Sequence, residues 1–450
     1  MEVTLLQMLD ARERRALRQQ QLLKEYGCTL LCFTMNIAGP VKNSPLISRG
    51  FELGKRLLDQ QLMVYRARVL HFEQIHEVTG CEAIYVLSCD PITAKKAAVA
   101  IEDGVKVGRL FDMDVLKPDG SKVDRQELGL EPRKCLICGG RAADCGRSRT
   151  HTVEQLQAKT TELLTEELDR YEAKKIASLA CRALLYEVGA TPKPGLVDRA
   201  NSGSHRDMDF FTFQSSAAAL WPYFETCAAI GMETRDLFPE TTFNRLRTPG
   251  LLAEGEMLRA TGGVNTHKGA VFSLGILCAA LGRMGPEHYD KPEFVLYECG
   301  QMTQGLVERD FAGLTKETAV TAGQKLYLER GITGVRGQAE AGFPAVLKAG
   351  LPKLEEALAA GYSLNDAGCA ALIAMLAASV DTNLISRGSF ELQQQIAVET
   401  AIALFREPIP GREMLLEMDR KFIEKNLSPG GTADLLAMVY LLHFMKEDAK

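Results

Sequence analysis

The sequence has little of several features that mark specialised proteins. Among 450 residues there is one tryptophan, and we find neither an internal repeat nor a low-complexity tract. The most apolar stretch, Ala367 to Val380, is shorter than the ~20 residues that a membrane-spanning helix needs. The first ten residues lack the basic segment and uninterrupted apolar core of a signal peptide. We therefore expect neither a membrane segment nor a signal peptide.

An excess of basic charge is also missing. The formal net charge is -5 and is spread along the chain, which argues against a nucleic-acid partner. The twelve cysteines are scattered through a large chain, and several lie inside apolar helical stretches. Reduced thiols explain this distribution better than a disulfide framework, so we expect a cytoplasmic protein.

The length and the pattern of apolar residues predict two domains of different class. The first part alternates strands with helices and indicates an α+β domain with a mixed sheet. The second part is almost entirely helical in pattern and indicates an all-α domain. We place the domains at 1–160 and 170–450, with the boundary within 152–172. The predicted strands are 28–36, 62–72, 83–89 and 106–115, and the predicted helices are 1–26, 45–61, 93–103, 153–189, 214–231, 250–260, 266–283, 292–311, 315–329, 339–360, 365–380, 389–405, 412–425 and 432–447.

The second half contains a dense polar segment, 191–209, between apolar helical stretches. Its aspartates and histidine are candidate Mg²⁺ ligands or catalytic groups, and its cations could neutralise phosphates. The alternative is a solvated loop whose aspartates cap helices. The residues concerned are Asp198, His205, Asp207 and Asp209, with Lys193, Arg199 and Arg206 as the cations.

A second polar segment, 260–270, precedes another apolar helix. Asn265 or Thr266 can cap this helix and leave Lys268 with free backbone N–H groups at its N-terminus, where a phosphate can bind. The spacing is not that of a Walker A loop, and a tight turn is the alternative reading. Three more polar junctions follow, at 330–340, 378–387 and 426–434, and Thr432 is a candidate N-cap in the last one. Five such junctions predict that helix ends converge on one polar, metal- and phosphate-binding pocket.

The junctions also carry a family resemblance. Downstream of Glu187 the chain reads TPKPGLVDRAN, HRDMD, ATGGVNTHKGA, GVRGQAE, DTNLISRG and SPGGTADLLA. Over roughly 172–447 it resembles the triphosphoribosyl-dephospho-CoA synthases, with the small departure of Ser204 where that family has alanine. The resemblance implies that ATP and 3′-dephospho-CoA give 2′-(5″-triphosphoribosyl)-3′-dephospho-CoA and adenine.

This reaction gives hypothetical roles to the polar residues. Displacement of adenine from the ribose passes through an oxocarbenium-like state, needs a base for the attacking hydroxyl and needs a group that helps adenine leave. His205 and His267 are the candidates to assist adenine. We expect phosphates on Lys193, Arg199, Lys268, Arg336 and Arg387, and Mg²⁺ or the base role on Asp198, Asp207, Asp209 and Asp381, in an order that the sequence leaves open.

The first half contains a pair of carboxylates on a predicted strand. Asp112 and Asp114 are two residues apart, so strand periodicity places both on one face. Two carboxylates that share Mg²⁺ are common in nucleotidyl transfer, although an isolated Asp-x-Asp is weak evidence. Basic residues within the same half are Lys42, Arg49, Lys95, Lys96 and Arg109.

The segment 133–151 adds a cysteine–histidine pattern. Cys135, Cys138, Cys145 and His151 could form a tetrahedral zinc site. Against zinc, many thiols of this chain look like ordinary core residues, and paired zinc ligands are usually farther apart. The run Arg147 to His151 could equally bind substrate phosphates.

This half resembles the apo-citrate lyase phosphoribosyl-dephospho-CoA transferases. The motifs are NIAGPVK at 36–42, with Ala38 where proline is expected, GRLFDMDV at 108–115 and the segment 133–151. The resemblance covers about 10–155. It implies transfer of the phosphoribosyl-dephospho-CoA unit to a serine of the citrate lyase acyl carrier protein (the gamma subunit), with release of pyrophosphate. Asp112 and Asp114 would hold Mg²⁺, while Lys42, Arg109, Arg147 and Arg149 are candidates for the substrate phosphates.

Together, the two resemblances imply a bifunctional enzyme whose second half makes the substrate that its first half consumes. One alternative is the same chemistry for malonate decarboxylase, which uses the same prosthetic group. Another is a protein that binds a nucleotide or a CoA derivative without turnover. The Asp112 and Asp114 pair and the glycine loops argue against loss of catalysis, and the segment 133–151 favours citrate lyase.

Overall fold

In a computed structural model that describes residues 1–448, the chain divides into two compact units. Unit one comprises Met1–Arg170 and unit two comprises Tyr171–Lys450. The prediction of an α+β part followed by an all-α part is confirmed. None of the helices described in residues 1–448 has the length and apolar character needed to cross a bilayer.

Unit one is built on a four-stranded sheet. The strands are β1 (Thr29–Met35), β2 (Val69–Glu77), β3 (Gly80–Leu87) and β4 (Phe111–Leu116), and the helices are α1 (Leu5–Tyr26), α2 (Pro45–Val64), α3 (Pro91–Gly104), α4 (Ala142–Ser148) and the start of α5 (Val153–Gly189). The strand order is β2-β3-β1-β4. All pairs described in 1–448 are antiparallel, whereas we had predicted a mixed sheet.

The two faces of the sheet are covered differently. Phe33, Phe111 and Met113 belong to the main core of unit one, together with apolar residues of α2 and α3. The opposite face has a smaller core, in which Leu22 of α1 packs with Leu30 and neighbouring strand residues. Alternate residues of β4 are buried in the main core, so the residues between them lie on the α1 side.

Unit two consists of helices joined by polar loops. After α5 the helices are α6 (Phe210–Glu233), α7 (Pro239–Ala260), α8 (Lys268–Met284), α9 (Pro292–Met302), α10 (Leu306–Phe311), α11 (Ala322–Arg330), α12 (Gly334–Glu340), α13 (Leu351–Ala359), α14 (Leu364–Ala378), α15 (Thr382–Arg387), α16 (Phe390–Arg406), α17 (Arg412–Glu424) and α18 (Gly430–Asp448). A π-helical turn at Val346–Gly350 precedes α13. Helices α8, α14 and α18 are apolar around most of their circumference and form the centre of the unit.

Several predicted boundaries were wrong for identifiable reasons. The segment predicted as strand 62–72 continues α2 to Val64, because Leu62 extends the buried stripe of that helix; the strand starts only at Val69. The start of the predicted strand 106–115 is a 3₁₀ helix, Lys106–Leu110. Helix α7 begins eleven residues before the predicted start at 250 and contains Pro249.

Further differences concern helix continuity. The predicted helix 292–311 is divided into α9 and α10, and the predicted helix 339–360 is divided by the π-helical turn. The short helices α4 and α15 were not predicted. Thr432 does not cap α18, because that helix already starts at Gly430.

Candidate functional site

The carboxylates of β4 lie together in unit one. Asp112 pairs in register with Thr34 and Asp114 with Cys32, both on the α1 side of the sheet. Asp114 Oδ1 lies 2.5 Å from Lys122 Nζ, and Asp112 Oδ1 lies 4.0 Å from Arg133 Nη1. Strand geometry thus brings two carboxylates and two cations to one patch, as the i, i+2 spacing predicts.

Electrostatics in this patch favour a bound cation. Burial raises the pKa of Asp112, and the neighbouring carboxylate of Asp114 raises it further, against the opposing effect of Lys122. A divalent ion between the two carboxylates would remove their mutual repulsion. The donor set of the patch therefore fits Mg²⁺.

Two cavities adjoin this patch, and Asn36 lines both of them. The smaller cavity, of about 140 Å³, is lined by Asp112, Lys42 and Arg12. Burial and the charge of Arg12 lower the pKa of Lys42. Its Nζ donates to the carbonyl of Ile37 at 2.5 Å. Arg12 lies on α1, which precedes the recognised motifs in the chain, and the sequence analysis assigned it no role.

The larger cavity, of about 220 Å³, is lined by Arg109, Arg133 and Lys134. Burial and the nearby Arg133 lower the pKa of Arg109. A cation whose pKa is lowered by a neighbouring cation indicates a place where an anion would be stabilised. Arg147 and Arg149 are exposed and are absent from the described lining of both cavities.

The four predicted zinc ligands come together in unit one. The thiol sulfurs of Cys135, Cys138 and Cys145 and a ring nitrogen of His151 all lie within 4.8 Å of one another. Three of these residues also line the larger cavity. The cluster that the spacing of this segment predicts is therefore present in the described structure.

In unit two a cavity of about 420 Å³ lies where the polar junctions meet. Each of the five predicted junctions contributes to its lining, so the predicted convergence is confirmed. The lining includes Glu187, His205, Asp207, Asn265, Thr266, His267, Lys268, Val335, Asn383, Arg387, Ser428, Gly430, Gly431 and Asp434.

Helix starts surround this cavity and explain two of its glycines. The first residues of α8 and α18 both line it, and helix N-termini favour anions. A Cβ on Gly269 would lie 2.0 Å from Asp434 Oδ2, so glycine allows α18 to approach α8. A Cβ on Gly430 would similarly lie 2.6 Å from Asn383 Nδ2.

Buried carboxylates outnumber the buried cation beside the cavity. Burial raises the pKa of Glu187, while Lys193 opposes the shift. Burial also raises the pKa of Asp434, and Glu187 and Asp381 raise it further. Lys193, which is 1% exposed, donates to the carboxylate of Glu187 and to its backbone carbonyl. The surplus negative charge suits a bound divalent cation.

His267 is buried in the cavity wall and its tautomer follows from its partners. The Thr266 hydroxyl donates to Ser216 Oγ at 2.8 Å, and Ser216 Oγ lies 2.7 Å from His267 Nδ1. The Ser216 proton then points to Nδ1, which leaves the hydrogen of the neutral ring on Nε2. That Nε2 is buried and has no hydrogen-bond partner in the described structure. Burial lowers the pKa of His267 to about 3, so the ring is a neutral donor.

His205 shows the same tautomer for a different reason. Arg387 Nη2 lies 3.3 Å from His205 Nδ1, and since a guanidinium only donates, Nδ1 accepts. Nε2 therefore carries the hydrogen and donates to Ser428 Oγ at 2.9 Å. Burial and the positive charge of Arg387 lower the pKa of His205. Asp207 lies 4.0 Å from the ring.

Three predicted aspartates are occupied by local hydrogen bonds. Asp198 accepts from three backbone N–H groups of its own loop, at distances of 2.6 to 3.1 Å. Asp209 caps α6 through the N–H of Thr212 at 2.9 Å. Asp381 accepts from both the N–H and the hydroxyl of Thr432 and from two N–H groups at the start of α15. Asp209 and Asp381 therefore cap helices, whereas Asp198 is buried and stabilises the turns of its own loop.

Three predicted phosphate ligands lie outside the described lining of the cavity. Lys193 pairs with Glu187, as described above. Arg199 donates to Asn365 Oδ1 at 2.8 Å, and Arg336 donates to Asp310 at 2.8 Å beside a separate cavity. Lys268 and Arg387 do line the site, and Lys268 Nζ lies 2.8 Å from Glu254.

The sequence analysis assigned no role to Glu187, Asp434 or Ser216. Glu187 looks like a polar residue near the end of a long helix, and Asp434 looks like a first-turn helix residue. Gly269 and Asp434, 165 positions apart, meet where α18 packs against the start of α8, a contact that exists only in the folded unit. Glycines in four of the five junctions were the available signal, but they do not identify the partner.

Comparisons with known proteins divide the chain at nearly the same place as its fold. Residues 173–450 match the family model CitG, ATP:dephospho-CoA triphosphoribosyl transferase. Residues 3–167 match the family model CitX, apo-citrate lyase phosphoribosyl-dephospho-CoA transferase. Protein CitXG of Haemophilus influenzae is 35% identical over 461 residues, covering 98% of this chain and 97% of the relative. Protein CitXG of Leuconostoc mesenteroides subsp. cremoris is 32% identical over 457 residues, with the same coverage of 98% and 97%.

Proposed function

Because the chain belongs to the CitXG family and is a bifunctional transferase of citrate lyase prosthetic-group biosynthesis, we propose that each unit holds one active site. Unit two joins ATP to 3′-dephospho-CoA and releases adenine. Unit one transfers the resulting phosphoribosyl-dephospho-CoA to a serine of the citrate lyase acyl carrier protein and releases pyrophosphate. Both steps use a small nucleotide of the cytoplasm, where we place the enzyme.

In unit two, the triphosphate of ATP binds at the start of α8 and α18. Lys268 and Arg387 line this part of the cavity, and the N–H groups of two helix N-termini add positive potential. Lys193 instead neutralises Glu187 in the wall. Glu187 and Asp207 are the carboxylates that would hold Mg²⁺, which supplies charge neutralisation on the triphosphate when it is bound.

Asp434 is the base for the attacking 2′-hydroxyl. It lines the cavity, and its raised pKa brings it closer to the working pH than an exposed aspartate would be. The hydroxyl oxygen forms a bond to the ribose C1″ of ATP as the bond from C1″ to adenine breaks, and the hydroxyl proton passes to Asp434. The triphosphate stays intact on the ribose, and the adenine anion takes up a proton from water while Asp434 returns its proton to water.

His267 assists the leaving adenine as a hydrogen-bond donor. Its Nε2–H is buried, lacks a protein partner and belongs to a residue of the cavity wall. A ring nitrogen of adenine gains negative charge as the glycosidic bond breaks, and this donor would stabilise it. Because its low pKa keeps the ring neutral, His267 can give a hydrogen bond but has no acidic proton to transfer. His205 orients Arg387 and Ser428 beside the phosphates.

In unit one, Asp112 and Asp114 would hold Mg²⁺ beside the phosphorus that reacts. The carrier serine oxygen bonds to that phosphorus while the bond to the pyrophosphate oxygen breaks. Arg12, Lys42, Arg109 and Arg133, which line the adjoining cavities, bind the phosphates before and after this step. A role of Arg147 and Arg149 on substrate phosphates stays a prediction.

The observation that carries the proposal is the meeting of five polar junctions in the cavity of unit two, with carboxylates, cations and a partnerless histidine donor. The test is to incubate the full chain with ATP, Mg²⁺ and 3′-dephospho-CoA and to measure adenine by chromatography. Addition of apo carrier protein should then produce pyrophosphate and a heavier carrier.

Adenine release without dephospho-CoA would contradict the first step, since it would show simple hydrolysis. ATP that binds and is not consumed would favour a binding protein. A malonate decarboxylase carrier that is modified in preference to the citrate lyase carrier would favour the other prosthetic-group pathway.

A further inference from the structure

The Cys and His side chains of segment 133–151 have the geometry of a metal site. Their four ligand atoms lie within 4.8 Å of one another, and Cys138 Sγ lies 3.4 Å from Cys145 Sγ. Zn–S bonds of about 2.3 Å in a tetrahedron separate two sulfurs by roughly 3.8 Å. The thiols are therefore close to the positions that one zinc ion would require.

The backbone around Cys135 and Cys138 is shaped to direct both sulfurs inward. The N–H of Ile137 approaches Cys135 Sγ at 3.5 Å, and the N–H of Cys135 donates to the carbonyl of Gly140 at 2.5 Å. Gly139 has φ of +74°, which closes the turn just after Cys138. A tight turn with N–H groups directed at sulfur stabilises a thiolate, the form that binds metal.

His151 supplies an independent indication. Its Nε2 is buried and has no hydrogen-bond partner in the described structure. A buried ring nitrogen without a partner lowers stability, because it has lost its hydrogen bond to water and gained none in the protein. A His in contact with three thiols, with one nitrogen unsatisfied, is the arrangement that a metal would complete.

The segment also lacks a core that could hold it folded. Helix α4 has no buried residue, and most side chains from Arg133 to Arg149 are exposed. A backbone bridge between Lys134 and Arg141 and the bond from Ala142 N to Arg133 O close the turn. Elements this small usually need a disulfide or a metal to stay ordered.

We propose that Cys135, Cys138, Cys145 and His151 bind one structural Zn²⁺ and that this ion holds Arg133 and Lys134 in the wall of the transferase cavity. Three thiolates and one imidazole complete a closed tetrahedral set, which suits structural zinc better than a catalytic metal or Mg²⁺. The positioning half of the proposal rests on the proposed function of unit one.

The cysteine–histidine cluster is connected to the transferase site through the two residues that precede it. Arg133 donates to the carbonyls of Phe111 at 2.7 Å and of Gly108 at 3.2 Å, next to Asp112. Arg133 and Lys134 immediately precede Cys135 in the chain and line the same cavity as it does. Loss of the metal would therefore free two cations from the position where a phosphate is expected, while the sheet stays folded.

The first experiment measures metal in the full chain purified without a metal-affinity tag. We expect one zinc per chain, retained through dialysis, and loss of most of it in Cys138→Ser and in His151→Asn. Cys89→Ser is the matched control, because Cys89 is a half-buried thiol of unit one outside the cluster. Replacement by Co²⁺ should give the visible absorption of tetrahedral sulfur ligation in the wild type and in the control.

The second experiment supplies triphosphoribosyl-dephospho-CoA and carrier protein to the same variants. We expect KM for the nucleotide to rise about tenfold in Cys138→Ser, as for other perturbed metal environments, with a smaller effect on kcat. Adenine release by unit two should not change, and the largely retained kcat of the transfer reports that unit one is folded.

The possible outcomes distinguish the metal site itself from its role in positioning Arg133 and Lys134. Wild-type protein with less than a tenth of an equivalent of zinc, or with a Cys138–Cys145 disulfide by mass under non-reducing conditions, overturns the metal site. One zinc per chain with the same KM in Cys138→Ser overturns the positioning role. A zinc-loaded chain that never modifies the carrier contradicts the proposed function of unit one and leaves the metal site standing.

Discussion

The two candidate sites obtain their carboxylates in opposite ways. In unit one, Asp112 and Asp114 are two residues apart on one strand and about half-exposed. In unit two, Glu187 and Asp434 lie 247 positions apart on different helices, and the charge of Glu187 raises the pKa of Asp434. A strand delivers a pair of ligands by its periodicity alone, whereas helix ends deliver them only after the whole unit has folded.

The balance of charge differs as well. Around Asp112 the neighbouring side chains are mainly cations, so unit one can bind several phosphates before a metal arrives. Around Asp434 the buried carboxylates exceed the single buried lysine. The carboxylates of unit two therefore repel one another, and a bound metal–triphosphate would reduce this repulsion.

The largest expected effect tests whether the sites are separate. Asp112→Asn should lower carrier modification about 10³-fold, because one of the two metal-binding carboxylates loses its charge. Adenine release should stay at the wild-type rate. Each reaction is measured alone, with purified intermediate for the transfer and chromatography for adenine. Asp119→Asn, an exposed turn carboxylate of the same unit, is the control; loss of both activities in folded Asp112→Asn would break the separation of the two sites.

The reciprocal change is Asp434→Asn. It should lower adenine release about 10²- to 10³-fold, since the attacking hydroxyl loses its base, and leave carrier modification intact. The same two assays measure it, with the exposed Asp236→Asn as control. Retained adenine release would move the base role to Asp207 or Glu187.

A smaller effect is expected for the histidine donor. His267→Phe should reduce adenine release about 10- to 100-fold, while His267→Gln, which keeps an N–H near the position of Nε2, should recover part of it. Because the pKa of His267 is lowered to about 3, the rate of the wild type between pH 6 and 9 should show no titration from this residue. A purely structural role would make Gln as damaging as Phe.

The same residue predicts how unit two responds to acid. The ordinary pKa of histidine is about 6.5, so between that value and about 3 the unfolded chain binds a proton that the folded chain does not. The free energy of unfolding should therefore fall as pH is lowered from 7 to 4, by roughly 3 kcal/mol from His267 alone. Urea unfolding followed by Trp221, the single tryptophan, measures this in unit two. His267→Gln should lose less stability over the same range; equal losses would contradict the assignment.

The smallest expected effect concerns stability at neutral pH. Asp434→Asn removes one member of a group of buried carboxylates, so without nucleotide or Mg²⁺ its Tm should rise by a few degrees, or about 1 kcal/mol. Trp221 fluorescence on heating measures it. A lower Tm would mean that the hydrogen bond from the Ala270 N–H outweighs the repulsion.

What the sequence could predict follows from the range of the interactions. Asp112 and Asp114 were correctly expected on one face because their relation depends on a few residues of one strand. The clustering of Cys135 to His151 was predictable for the same reason. Helix boundaries failed where tertiary packing decided them, as at Pro249, which α7 contains, and at Leu62, whose burial continues α2.

In unit two the existence of the pocket was predictable, but the role of each residue in it was not. Glycine-rich junctions indicate helix ends, and five of them suggest convergence. Whether an aspartate there caps a helix or faces the cavity depends on partners far away in the chain. Asp381 and Asp434 both lie at polar junctions. The carboxylate of Asp381 accepts hydrogen bonds from four donors, whereas Asp434 lines the cavity.

Asp381 also bears on how mutational scans of this protein would be read. One carboxylate holds the starts of α15 and α18, and these helices carry Arg387 and Asp434 into the cavity. Any substitution at Asp381 displaces both at once, so it would score as severely as an active-site residue. In double-mutant cycles its effect would overlap strongly with that of Arg387 or Asp434. A ranking by severity alone would therefore place Asp381 in the catalytic centre, although it acts through Arg387 and Asp434.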